Sequence, residues 1–192
     1  PIIIIYSDSG IGIDNDDWQK TQDFFKQFPG LLILDADALN RISKSKLNKK
    51  FFTERESKTW ITPHISEFMR LFPYSKGNNR IESVLNAAKE NDIDILLKGA
   101  HSIIANNSKA WQLYGTDPAT ARAGLGDLLS GFIAGCSAIE IACSKNISTE
   151  SFAKYVLFHS FAASKCKKGS NALLIGNKLS KLMRKAKARQ IS

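Results

Sequence analysis

Leu31-Leu32-Ile33-Leu34-Asp35-Ala36-Asp37-Ala38-Leu39-Asn40 runs four aliphatic residues straight into two carboxylates. The apolar run has the length of a buried strand, and the acids stand where that strand ends. In an open parallel sheet the carboxyl ends of the strands build the ligand crevice. Two uses of the acids stay open at this point: holding magnesium through water, or capping a following helix at Asp37. Outward from this stretch, strand and helix patterns alternate. Ile2 to Tyr6 reads as a strand, and Asp16 to Phe28 as a helix bearing Trp18, Phe24, Phe25 and Phe28, stopped by Pro29-Gly30. Trp60-Ile61 leads into Thr62-Pro63-His64 and a helix around Glu67 to Leu71. Ile81 to Lys89 reads as a helix and Ile93 to Leu97 as a strand, with a hairpin around Gly99-Ala100-His101 that continues through Ile103-Ile104. Leu128 to Cys143, Ser151 to Ala163 and Asn171 to Lys185 complete a helical C-terminal half. The alternation predicts an α/β fold, one domain over 1–192, with a mostly parallel sheet flanked by helices. A first strand at Pro1 is an unusual start for such a sheet, so we expect an N-terminally incomplete domain whose earlier βαβ units are absent.

The chain has 192 residues, 43% of them hydrophobic, enough for one sizeable core. Its longest apolar runs, Pro1 to Ile5 and Leu31 to Leu34, are too short to cross a bilayer, and neither a transmembrane segment nor a cleavable signal is read. Cys136, Cys143 and Cys166 form no C-x-x-C pair, which argues against a disulfide framework or a zinc site and predicts a reducing, cytoplasmic setting. A net charge of +9 suits an anionic partner. Much of the excess sits in Lys44 to Lys50 and in Lys178, Lys181, Arg184, Lys185, Lys187 and Arg189. Neither patch is interleaved with aromatic residues, so both read as solvated surface and not as a nucleic-acid or membrane face.

Besides the acidic strand end at Asp35 to Asn40, four further segments carry groups for an anionic ligand. Gly124-Leu125-Gly126-Asp127-Leu128-Leu129-Ser130-Gly131 delivers a carboxylate to the start of an apolar helix. Glycines let backbone N–H groups converge on an anion, and the helix adds the positive end of its dipole. Asp127 beside such a nest can accept a proton from an attacking hydroxyl during phosphoryl transfer; equally, it can cap the first turn. Lys98-Gly99-Ala100-His101-Ser102 follows a strand with an ammonium, a flexible turn and a hydroxyl, which suits phosphate contact or an exposed hairpin. Thr62-Pro63-His64-Ile65-Ser66-Glu67 sets a histidine before a helix, where Thr62 or Ser66 can serve as caps. Asp8-Ser9-Gly10-Ile11-Gly12 lets a backbone approach a ligand, or is a plain loop.

In their order and approximate spacing, Leu34 to Asn40, Thr62-Pro63-His64 with Glu67, Lys98 to Ser102, and Gly124 to Asp127 with Ser130-Gly131 resemble the ADP-dependent NAD(P)H-hydrate dehydratases. Asp8 to Gly12 looks like an altered form of that family's Gly-Pro-Gly-Leu-Gly loop. The resemblance implies a ribokinase-like three-layer sandwich. It implies a metabolite-repair lyase that uses ADP to phosphorylate the ring hydroxyl of hydrated NADH or NADPH, then eliminates phosphate, leaving AMP. Asp127 would be the catalytic base, with an anion hole from the amides of Gly124 to Asp127. Lys98, Gly99, Ala100, His101, Ser102 and Gly126 would line the adenine nucleotide site. Gly12 and His64, with Asp127, would touch the hydrated cofactor. Magnesium would bridge the transferring phosphates through water near the acidic pair, with no metal-ligand set of the protein's own. Apart from the resemblance, absent N-terminal units would leave a sheet edge or apolar helix face open, so self-association into a homo-oligomer, or weak folding, is expected.

The departures from the family pattern are specific. Leu125 replaces a threonine between the glycines, Arg122 stands where a small hydroxylated residue is usual, and Asp8-Ser9 replaces Gly-Pro. These departures keep two other readings in play, a ribokinase-like kinase of a small alcohol and a nucleotide-binding pseudoenzyme.

Overall fold

The computed structural model describes residues 3–8, 16–45, 48–75, 77–114, 124–144, 146–167 and 169–191, with the side chains of 3–8, 16, 17, 48, 49 and 186–191 left aside. Among the described residues six strands form one sheet in sequence order: β1 (Ile3–Asp8), β2 (Leu31–Ala36), β3 (Thr59–Ile61), β4 (Asp94–Leu97), β5 (Ile103–Ala105) and β6 (Ala110–Gln112). The first four are parallel, with Ile3 beside Leu31, Leu32 beside Thr59 and Trp60 beside Asp94. The chain then folds back, so β5 and β6 add antiparallel ladders. This agrees with the mostly parallel sheet expected from the alternation, and the hairpin at Gly99 to His101 forms as read. β6 escaped the sequence reading because three half-buried residues carry no resolvable period.

Eight helices among the described residues cover the sheet. α1 (Asp16–Gln27), α2 (Asp37–Lys44), α3 (Asn48–Thr53), α4 (Ile65–Leu71) and α5 (Arg80–Asn91) lie on one face. α6 (Leu125–Ser144), α7 (Thr149–Ser164) and α8 (Ala172–Ile191) lie on the other. The period-2 alternation of β2 decides which residue meets which layer. Leu32 and Leu34 pack with Trp18, Leu39, Phe51, Phe68 and Val84, while Leu31 and Ile33 pack with Leu129, Ile133, Phe152 and Val156. Both faces are therefore buried, which is why β2 reads as a continuous aliphatic run. Each fully buried aliphatic side chain contributes about 1.5–3 kcal/mol to holding the layers.

Particular contacts fix the second layer. Trp60 and Phe152 stack with centroids 4.3 Å apart and planes within 5°, seating α7 on β3. Along the α6–α7 seam Glu140 accepts from Ser151 Oγ at 2.5 Å and from the Tyr155 hydroxyl. Burial and Glu140 together push the Cys136 thiol up to about 11, so this sulfur stays protonated and packs as an apolar group. α6 is long and apolar enough to cross a membrane by length and composition, the one described helix that is. In the fold it lies on β1 and β2, flanked by α7 and α8.

Two local expectations change. The basic connection after Lys44 holds α3, whose Phe51 and Phe52 are buried in the first layer. Asp37 does not cap α2: Ala36 occupies the cap with φ 50°, no side-chain oxygen serves it, and Asp37 instead accepts from Asn40 Nδ2 at 3.3 Å.

Candidate active site

The three parallel strands β2, β3 and β4 end side by side, and each end delivers one of the segments singled out above. β2 carries Asp35, 2% exposed, as its next-to-last residue. β4 is followed by Lys98, whose Nζ lies 2.7 Å from Asp35 Oδ1. Between them, the chain after β3 runs past as Pro63 and His64, and the Lys98 N–H donates to the Pro63 carbonyl at 2.8 Å. His64 and Lys98 form a parallel bridge there.

The first turn of α6 closes over this cluster. Ser130 Oγ donates to Asp35 Oδ2 at 3.0 Å, which ties the helix to the strand end. A Cβ on Gly126 would stand 3.7 Å from Asp35 Oδ2 and 3.8 Å from Lys98 Nζ, so this residue faces the ion pair directly. Gly124, at φ +78°, makes the left-handed turn that starts the helix. The amides of a first helical turn have no partner within the helix and point outward along the axis. This turn lies beside the end of the sheet where the ion pair sits.

Asp127 is exposed on the same turn. With Leu128, Gly131 and Phe132 it forms one wall of an apolar cavity of about 380 Å³; Gly176, Leu179, Ser180 and Met183 of α8 form the other. The α8 residues were missed by the sequence reading. Their signal was the 176, 179, 180, 183 spacing, which puts one glycine and three side chains on a single helix stripe.

The other residues expected at the site fall as follows. Gly99, Ala100 and His101 are exposed in the β4–β5 turn, where Ser102 Oγ donates to the Gly99 carbonyl at 3.1 Å. His101 lies beside Tyr114, with ring centroids 6.0 Å apart. Gly12, the other residues 9–11 of its loop, and Arg122 lie outside the described residues. His64 is a helix cap: its Nδ1 accepts from the Ser66 and Glu67 N–H groups at 3.1 and 3.3 Å. Glu67 returns the bond by accepting from the His64 N–H at 2.8 Å, completing a capping box in which histidine takes the place of serine or threonine. The cap is thus neither Thr62 nor Ser66. Half of the imidazole remains exposed toward solvent.

Magnesium does not fit the acidic pair as a protein-held ion. Asp35 already receives Lys98, Ser130 and the Ala36 N–H, the last at 2.9 Å, and is almost fully buried. No group of three His, Cys, Asp or Glu that could hold a metal occurs among the described residues.

Chemically, the cluster pairs a helix N-terminus with a lysine whose charge is balanced by a buried carboxylate. A carboxylate stands next to them on an accessible turn. That arrangement can hold an oxyanion and accept a proton beside it.

Comparisons with known proteins bear on the family and the fold. The family model described as NAD(P)H-hydrate dehydratase matches residues 8–184. A bifunctional NAD(P)H-hydrate repair enzyme from Synechocystis sp. is 40% identical over 105 residues, covering 54% of this chain and 20% of that protein. An ADP-dependent (S)-NAD(P)H-hydrate dehydratase from Nitrosopumilus maritimus is 36% identical over 123 residues, 55% of this chain and 43% of that one. The matched stretches therefore span less than half of these curated relatives. A ribokinase-like superfamily protein from Enterococcus faecalis superposes with a TM-score of 0.74 at 24% identity, over 95% of this chain and 63% of its own. The ADP/ATP-dependent NAD(P)H-hydrate dehydratase of Bacillus subtilis, co-crystallised with ATP and Mg2+, does so with a TM-score of 0.67 at 20% identity, over 94% and 66%. The fold is thus ribokinase-like. With a family match running over nearly its whole length, the chain belongs to the NAD(P)H-hydrate dehydratase family.

Proposed function

We propose that this chain carries out the ADP-dependent dehydration of hydrated NADH or NADPH, with the reaction centred on the first turn of α6. The observation that carries the reading is the meeting of Asp35, Lys98, Gly126 and Ser130 at one end of the sheet, with Asp127 on the same turn as Gly126. Three segments far apart in sequence come together there.

In this reading Asp127 accepts the proton of the ring hydroxyl as its oxygen attacks the β-phosphorus of ADP. The bond from that phosphorus to the bridging oxygen breaks, and AMP leaves. The amides around Gly124 to Asp127 stabilise charge on the transferring group. Phosphate then leaves the ring carbon with its oxygen, and the adjacent ring carbon gives up a proton to solvent, so that the C–H electron pair restores the double bond of the reduced nicotinamide. Lys98 steers the nucleotide phosphates and Asp35 holds it in place. Gly99, Ala100, His101 and Ser102 line the nucleotide path, and the apolar cavity between α6 and α8 is wide enough for the adenine ring. His64 and Gly12 border the hydrated ring. Magnesium comes with the nucleotide phosphates, and no step is assigned to a metal held by this chain.

Three free thiols suit a reducing, cytoplasmic compartment. Exposed Leu157 and Phe161 on α7 and Leu173 and Leu174 on α8 support self-association. The decisive assay mixes the chain with hydrated NADH, ADP and magnesium. The reading expects NADH, AMP and phosphate in equal amounts; NADH that appears without AMP would refute it.

A further inference from the structure

α6 carries a serine at every seventh residue, Ser130, Ser137 and Ser144, so the three share one stripe of the helix. Their hydroxyls do different things. Ser144 Oγ donates back to the Glu140 carbonyl at 2.8 Å, the local bond open to any helical serine. Ser137 is fully buried, and its Oγ has no partner. Ser130, 1% exposed, instead donates out of the helix to Asp35 Oδ2 at 3.0 Å.

The other oxygen of that carboxylate is held from the sheet. Asp35 Oδ1 accepts from Lys98 Nζ at 2.7 Å and from the Ala36 N–H at 2.9 Å. The first turns of α6 and the Lys98 ammonium are therefore fastened to the two oxygens of one buried carboxylate. Apolar packing cannot fasten them so. Leu129 and Ile133 lie in the core with Leu31, Ile33 and Trp60, and such contacts press the helix onto the sheet without fixing its position along its own axis. A hydrogen bond from a hydroxyl to a carboxylate is directional and does fix it. Ser130 follows Asp127 by three residues, about 4.5 Å along the axis, so holding Ser130 also holds Asp127 and Gly126 relative to Lys98.

We infer that Ser130 is a positioning residue for the dehydration: acting through Asp35, it sets the distance between the base-bearing turn of α6 and Lys98. This role rests on the function proposed above. At 1% exposure Ser130 offers a ligand no surface, so it acts on geometry alone. The rate of phosphoryl transfer depends steeply on that geometry, whereas ADP keeps the lysine and the backbone amides that hold it.

The test compares Ser130→Ala, Ser130→Thr and Ser137→Ala with the parent in NADH regeneration from the hydrate, with ADP affinity read by calorimetry and folding by circular dichroism. In Ser130→Ala kcat should fall about tenfold or more, while KM for the hydrate and Kd for ADP stay within about twofold. Ser130→Thr keeps a hydroxyl at this position and should recover most of the lost kcat. Ser137→Ala removes an equally buried hydroxyl from the same stripe, one without a partner, and should turn over like the parent. Should the extra methyl keep Ser130→Thr from folding, the contrast between Ser130→Ala and Ser137→Ala decides alone. The inference is overturned by a parental kcat in Ser130→Ala, by an equal fall in Ser137→Ala, by a folded Ser130→Thr as slow as Ser130→Ala, or by a loss that falls on ADP affinity or melting temperature in place of kcat. A parent that regenerates no NADH would overturn the proposed function and this role with it, whereas an active parent matched by Ser130→Ala overturns this role alone.

Discussion

Asp35 keeps its carboxylate almost wholly out of water because Lys98 arrives beside it from two strands away, at 2.7 Å. Removing one partner of such a pair strands the other charge. Lys98→Met should therefore destabilise the chain by about 3 kcal/mol, the low end for a buried pair because the lysine is 27% exposed. Adding Asp35→Asn to it should recover part of the loss. Urea midpoints of the single and double variants read this directly, and a Lys98→Met midpoint equal to the parent's would contradict the pairing. The pair was illegible in the sequence: 63 positions separate its members, and only the strand order brings them together. Each motif was legible by itself, and so Asp35 was read toward magnesium and Lys98 toward phosphate. A second residue-scale prediction concerns His159, buried on α7 with Nε2 unpartnered and drawn by burial to about 4. A base whose folded pKa lies below its unfolded value takes up a proton on unfolding. Its contribution is thus fully present above the ordinary histidine range, about 6.5, and is lost as pH falls from there toward 4. The difference in stability between the parent and His159→Leu should vary with pH inside that window and be flat above it. A difference that is flat throughout would contradict it.

At the scale of elements, α4 and α6 show what local chemistry contributes to the site. His64 caps α4, and replacing it by asparagine keeps a side-chain acceptor at the cap while removing the imidazole. His64→Asn should keep the parent's melting temperature, whereas His64→Ala loses about 1 kcal/mol. A raised KM for the hydrated cofactor in His64→Asn, at unchanged stability, would mark the exposed half of the ring as a substrate contact. Gly124 starts α6 at φ +78°, where an alanine pays the left-handed penalty of about 1 kcal/mol, worth about 2–4 °C in melting temperature. Gly99→Ala meets open space and should leave the melting temperature unchanged. Equal effects of the two substitutions would contradict this assignment of strain. The sequence made α1, α4, α5 and the three C-terminal helices legible through their apolar period, with boundaries a few residues short at α6 and α8. It hid α3 and β6, whose six and three residues are too few for a period and are held by Phe51, Phe52 and the hairpin beneath them.

Over the whole molecule, two helical layers bury both faces of one sheet, and the parallel strands point their carboxyl ends at the turn that begins α6. Fold class was legible because alternating strand and helix patterns have few other solutions. The apolar cavity between α6 and α8 was not, because its walls come from two helices separated by the whole of α7 and the sequence holds no record of which stripes face each other. The exposed apolar side chains of α7 predict a multimer in sedimentation velocity, with Leu157→Asp/Phe161→Asp shifting it toward the monomer; a monomeric parent would contradict this. The central claim is that the first turn of α6 both holds the nucleotide and supplies the base. Asp127→Asn separates those roles, since it keeps the shape and the backbone amides while removing the proton acceptor. The most direct measurement follows NADH regenerated from its hydrate by parent and variant, with ADP affinity measured by calorimetry in parallel. In Asp127→Asn turnover should fall by about 10²–10⁴-fold with ADP affinity retained. A variant that turns over as fast as the parent would contradict it.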